Sequence, residues 1–500
     1  MSSHERVPNE VWLEVFELLP RDSLKHVHAT HRMFRSTCRP LLFSHLVFHP
    51  YFRDIDPLGL GDRLILPDPE VVQRALERLA FWSSDHIAPL VRQCTIDLLG
   101  ARLHTTAADS VLPEPTESPH TLMVSFMDRL AKFTGLKKLR AHQALFTQAG
   151  IANLCQLPLL REVVTERCDI VPGEIIDTTS LQLRTAKLLH RADVDAEEDE
   201  MGTIWLSIVD REHLHELELT RSSLSGAGYT ISEGPAFPNV HDLRFSINLS
   251  TMNRNLTTLS KFPAVRKVCL SGWGDFEYES TDAPLQRVPD LLPLLQEYSG
   301  SCAPLHMFLP RPTLTCLSIH WCKPDELSSQ LREEYTPITS LDAGLSNLDQ
   351  QTLDTISTFL PELTELRLQI FYDLEDDDVE DGFNAKATNF FSTFANTPAP
   401  HLPPNLRRLA ISWEFDSEFL SEAFEDAPVA SPDNIPDFLA MRDKLRERCP
   451  ALRVLWFDGH DFMFRWRLLD TGEEMEQENK IQATEIFCSQ ENFEDFWKGR

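Results

Sequence analysis

Five hundred residues of 42% hydrophobic content exceed one conventional core and suit a small module joined to an elongated repeat domain. The formal charge of −30, from 47 Lys and Arg against 77 Asp and Glu, argues against a duplex-binding surface, which needs clustered cations; the expectation is no nucleic acid partner and a basic client. Ten scattered cysteines without a Cys-x-x-Cys pair read as reduced thiols, and no apolar run approaches the ~20 residues of a membrane span, so a cytoplasmic or nuclear protein with no membrane contact is expected.

The first elements expected are two short linked helices. Pro8 suits a first helical turn, where its missing N–H has no intrahelical acceptor to lose. After it, Val11, Trp12, Val15, Phe16 and Leu19 form one broad apolar stripe at helical period, and Pro20 closes the helix. A second apolar set, Leu24, Val27 and Phe34, follows a turn holding Asp22 and Ser23, both good N-caps. The series Pro8, Glu10, Val15-Phe16, Leu19, Leu24, Arg32 and Phe34 resembles the F-box, the docking module of cullin-RING ubiquitin ligases. Val7, Thr30, His31 and Phe34 depart from that family's commonest residues, Thr30 by being polar where the family has Val. Cys38 to Leu46 fits the module's third short helix. The resemblance implies that Pro8, Val11, Val15, Phe16, Leu19 and Leu24 meet a Skp-type adaptor and, through it, a cullin. Residues 51–90 read as a helical linker or cap.

From residue 91 to about 460 one phrase recurs, apolar-x-x-apolar-x-apolar. Its clearest copies start at Leu136, Leu214, Val240, Val265, Leu314, Leu363, Leu406 and Leu452, with weaker ones at Val91, Leu160, Leu183 and Ile338. Central anchors Leu217, Leu243 and Val268 lie 26 and 25 residues apart, and Leu292-x-x-Leu295 fills the longer gap before Leu317. Alternation makes each phrase a strand with one buried face, and segments such as Asp349 to Leu360 between phrases are helical. Strand and helix alternating at this period resembles the leucine-rich-repeat family, an α/β solenoid of parallel strands with helices outside. The family's Asn or Cys after the strand is mostly missing, so the loops must be satisfied otherwise and the repeats should be irregular.

Inserts are expected near 101–120, 374–398 and 414–437, where the rhythm breaks and prolines or acidic residues accumulate. Residues 461–500 read as a C-terminal cap, with Phe462 to Leu468 a capping strand and a mobile acidic tail from Glu473. Chemistry is harder to find. The acidic run Glu375 to Asp381 lacks the glycine and terminal glutamate of a calcium loop, and His26, His28 and His31 spread around a helix axis. Neither a metal, a cofactor nor an enzymatic activity is indicated.

Outward strand positions are the candidates for client recognition, namely Glu218, Arg244, Lys267, His320, Asp342, Arg367, Arg408 and Trp456. Trp273, Trp321 and Trp413 follow their strands near one rim, as binding anchors or as fillers of the loop core. The combination implies a substrate receptor of a Skp-cullin-F-box ubiquitin ligase, holding an adaptor at one end and a protein client on the solenoid. The alternative is a non-catalytic scaffold that drives no ubiquitination.

Overall fold

Pro20 and His31 divide the N-terminal residues into three helices, with Phe34 on the third rather than the second, in the computed structural model. It describes residues 9–55, 63–99, 101–103, 120–171, 181–189, 201–220, 231, 234–248, 258–273, 291–309, 311–331, 335, 337–371, 382–396, 401–414, 437–459, 462–468, 474–480 and 489–498. The helices are α1 (Asn9–Glu17), α2 (Arg21–Thr30) and α3 (Arg32–Leu42). His31 is extended, and its Nδ1 caps α3 by accepting the Met33 N–H at 3.2 Å. Thr30 Oγ1 donates back to the Val27 carbonyl at 2.7 Å. The two polar departures from the F-box pattern therefore occupy a helix junction, where polarity is useful. The third helix starts six residues before Cys38 and ends at Leu42, so the expectation of a helix over Cys38 to Leu46 is corrected: His45 already belongs to a strand.

Phe16, Leu24, Cys38 and Leu42 form the core of this module, with Trp12, Leu19, Val27 and Phe34 packed against it. The rings of Trp12, Phe16 and Phe34 meet pairwise at 5.0–5.6 Å between centroids. Aromatic payload thus compensates for small mass.

The chain divides into two compact units, Met1–Ser246 and Ile247–Arg500, each of which alternates parallel strands with helical segments as a solenoid-like α/β repeat. In the first, the strands are β1 (His45–Phe48), β2 (Gln93–Ile96), β3 (Lys138–His142), β4 (Glu162–Glu166), β5 (Thr185–Leu189), β6 (Glu216–Thr220) and β7 (Asp242–Asn248). All pair in parallel, first residue to first residue. Ahead of each strand one more rung forms: the N–H of Arg92, Lys137, Arg161, Arg184, His215 and His241 each donates to the carbonyl at the same position of the preceding repeat. The repeat thus begins at His45, inside the region expected to be docking module and linker. Phe43-x-x-Leu46-x-Phe48 is its first phrase.

Every strand anchor that the periodicity selected is buried, from Val91, Cys94 and Ile96 to Leu214, Leu217 and Leu219. At Cys168 the missing loop asparagine has a substitute. The thiol donates to the Ala141 carbonyl at 3.3 Å and accepts the Ala144 N–H at 3.5 Å. Burial pushes this thiol up to about 12, so it is a structural group and a poor nucleophile.

In the second unit, β8 (Lys267–Trp273), β9 (Glu297–Gly300), β10 (Cys316–Cys322), β11 (Ser340–Leu345), β12 (Glu365–Phe371), β13 (Arg408–Glu414) and β14 (Val454–Asp458) run parallel. Register corrects one phrase. Val268 pairs with Tyr298 and Tyr298 with Leu317, so the anchor is Tyr298 and Leu295 occupies the position before it. The third anchor is Gly300, at φ +153°, where a side chain would collide with the Leu270 carbonyl. The Tyr298 hydroxyl donates to the Ser301 carbonyl at 2.6 Å, satisfying its polar end.

The helix expected from Asp349 runs Gln350–Phe359, with the Asp349 carboxylate accepting the Thr352 N–H at 2.7 Å. Gly382–Asn396 is also helical, within the expected insert at 374–398, and buries Ala387, Phe391 and Phe394. That stretch is the repeat's own helix. Trp413 packs on Phe391 at 5.1 Å and is a core filler. The acidic run Glu375 to Asp381 lies outside the described residues, as do 104–119 and 415–436 of the other two inserts and the side chain of Trp273.

The sheet ends as the sequence suggests, with β15 (Phe462–Leu468) antiparallel to β14. Beyond it the expectation of a mobile tail is corrected: β16 (Glu474–Lys480) pairs antiparallel with β15, and Ser489–Lys498 is a helix. No helix among the described residues is long and apolar enough to cross a membrane.

Candidate functional site

Burial splits the apolar stripe of α1 into two faces. Trp12, Phe16 and Leu19 turn into the module, whereas Val11, Val15 and Leu18 are 45%, 43% and 86% exposed. Val11 and Val15, four residues apart, share one side of α1, and Leu18 follows in the turn just after it, its N–H donating to the Val15 carbonyl at 3.3 Å; Leu13 is exposed as well. Of the expected adaptor contacts, Phe16 and Leu24 are corrected to core residues, at 3% and 7% exposure, because the module must bury something of its own to fold. Leu19 is half-buried, and Pro8 lies outside the described residues. Leu18 was missed. The signal was present, since 11, 15 and 18 form a stripe of their own, but nothing in one sequence separates the face that folds from the face that waits. Glu14, Glu17 and Arg21, close by in sequence, are exposed.

In the first unit the open sheet face is charged and internally paired. Lys187 Nζ lies 2.8 Å from Glu216 and 3.2 Å from Glu218. Burial alone would lift the Glu216 carboxyl, but hydrogen bonds from Lys187 and Thr185 and the Lys187 charge hold it below the usual range. Arg244 faces Asp242 at 3.9 Å. Glu218 and Arg244 thus lie on neighbouring strands as expected, each already beside an opposite charge. One feature escaped the sequence reading. Arg92, Lys137, Arg161 and Arg184 are exposed at the same register position of four successive repeats, a column of cations that the whole-chain charge conceals.

The second unit brings its candidates together in the same manner. Lys267 meets Glu297 at 3.1 Å, Arg367 meets Asp342 at 3.6 Å and Arg408 meets Glu365 at 3.1 Å. His320, largely exposed, shares a 2.8 Å hydrogen bond with Ser299 Oγ, and partial desolvation by its neighbours holds its imidazole below the ordinary value despite the nearby Asp342. Trp456 is the exception and its assignment as an open contact is corrected. It is 2% exposed, because the helix Ser489–Lys498 lies over it.

That helix makes aromatic contacts at both ends of its apolar face. Phe493 and Phe496 stand 4.9 and 5.4 Å from the Trp456 ring. The Arg367 guanidinium sits 4.3 Å over Phe493, Arg408 5.9 Å from Trp497, and Arg465 4.2 Å over Trp456 from the neighbouring strand. Arg467 Nη1 donates to the Phe496 carbonyl at 3.2 Å. Three of the eight expected client residues are therefore in use by the chain's own C-terminus. No group of His, Cys, Asp and Glu among the described residues is arranged to hold a metal. Compared with known proteins, the chain matches no family model and no curated protein.

Proposed function

We propose that the protein is a substrate-recognition subunit of a Skp-cullin-F-box ubiquitin ligase, with α1–α3 as the F-box, the leucine-rich-repeat-like sheet as client receptor, and catalysis left to a recruited E2 enzyme. The observation that carries this reading is the ridge Val11, Val15 and Leu18. A three-helix module that already has a core keeps Val11 and Val15 on one side of α1, and Leu18 in the turn just after it, in water, an arrangement suited to an apolar groove on an adaptor. The paired charges of the sheet suit a client held by complementarity rather than by chemistry on the client. The chain then contributes proximity, setting a client lysine beside a charged E2.

The paired substitution Val15→Asp with Leu18→Asp tests it. Both positions are exposed in the free chain, so thermal stability should hold, while each unpaired carboxylate buried against an adaptor costs about 3 kcal/mol. Co-purification with a Skp-type adaptor should fall by roughly a hundredfold or more. Undiminished co-purification would sink the assignment. If adaptor binding is lost as expected but a bound client is not stabilised by cullin inhibition, the chain is a scaffold on that adaptor and not a degradation receptor.

A further inference from the structure

We propose that the sheet face around Trp456 is a receptor for short acidic helices with aromatic residues at i, i+3 and i+4, and that the chain's C-terminal helix occupies it as a displaceable stand-in. This deepens the reading of the sheet as a client receptor and rests on it, and at this face, where arginines line the seat, it replaces the basic client that the whole-chain charge suggests. The resident segment, Ser489-Gln-Glu-Asn-Phe-Glu-Asp-Phe-Trp-Lys498, sets Phe493, Phe496 and Trp497 on one helical line. Those three residues pack with Ala410, Trp456 and Met463 of the sheet.

Charge complements shape. The seat is built from Arg367, Arg408, Arg465 and Arg467, which meet the resident helix through its rings and a backbone carbonyl, and the sequence of that helix is acidic overall. Guanidinium groups over aromatic rings add attraction that is strongest where water is excluded. Arg467 donates to a carbonyl in the helix's last turn, where the helix dipole is negative. A client helix of the same pattern would meet each of these groups in turn.

Displacement follows from length. A ten-residue helix is too short to persist alone in water, so this one is helical because the sheet holds it. Tethering gives it an effective concentration of roughly millimolar order. If it fills the seat about 99% of the time, a competitor's apparent affinity falls roughly a hundredfold, and only segments that reproduce the whole pattern gain entry.

The experiment uses the full chain and a fluorescent peptide of residues 489–498. Unsubstituted protein should bind the peptide weakly, and the double variant F493A/W497A, which vacates the seat, should bind it roughly a hundredfold tighter. Adding W456A, or separately R367E with R408E, should then weaken binding by roughly tenfold or more. A peptide with alanine at both positions should not bind. Circular dichroism establishes that each variant is folded. As a readout independent of the variants, excess peptide should speed hydrogen exchange of the 489–498 amides in the unsubstituted chain. Equal peptide affinity of the two proteins, or no binding to folded F493A/W497A, overturns the proposal. So does a dimer formed by exchange of helices, which would make a second copy the occupant. None of these readouts requires an adaptor, so their failure alongside intact adaptor binding would leave the F-box reading standing, and the converse also holds.

Discussion

Gly300 and His320 show what single positions contribute to the second unit. Gly300 takes φ +153° with the Leu270 carbonyl where a methyl would stand, so Gly300→Ala should cost about 2 kcal/mol of unfolding free energy and lower the denaturation midpoint. His320 is predicted to make stability pH-dependent. Its folded imidazole, though largely exposed, is harder to protonate than the ordinary ring of pKa 6.5, because partial desolvation outweighs the pull of Asp342. The unfolded state therefore binds the proton first: the contribution is complete above pH 6.5 and is lost as pH falls below it. Denaturant midpoints measured from pH 7 to pH 5 should decline less steeply in His320→Gln. The anchor leucines could be read from one sequence because a strand with one buried face prints a period of two. Tyr298 could not, since its partner anchor is a glycine and an apolar pattern has no symbol for a backbone that must lie close to its neighbour.

At the scale of elements, legibility followed how local the deciding interaction was. The helix after Asp349 was readable because cap and stripe lie within one segment; Asp349→Ala should cost about 1 kcal/mol and speed amide exchange in the first turn of Gln350–Phe359. The helix Gly382–Asn396 was hidden inside an expected insert, since Phe391 finds its partners, Trp413, Phe438 and Phe457, on three other elements. The stripe of α1 was seen whole although the fold divides it, because Phe34 and Cys38 on α3 decide which side is inward. The C-terminal helix reads in sequence as a mobile acidic tail for the same reason. Its acidic composition reads as a solvated segment, and the aromatic line becomes meaningful only once Trp456 lies beneath it.

For the whole molecule, repeat construction spreads stability over neighbour contacts, each strand of either unit holding those beside it. A formal charge of −30 keeps such molecules apart in dilute salt, and screening removes that protection beyond about 8 Å at physiological ionic strength. The ridge of α1 then governs how the isolated protein behaves. Val11, Val15 and Leu18 are exposed aliphatic side chains close together in sequence, so two unpartnered copies can bury them against one another across a two-fold axis. Sedimentation velocity should show a concentration-dependent dimer that strengthens as salt is raised, and a monomer throughout for the Val15→Asp, Leu18→Asp chain. A surface shaped for a partner is, until that partner arrives, a colloidal liability, and yield of the protein made alone should be limited by it.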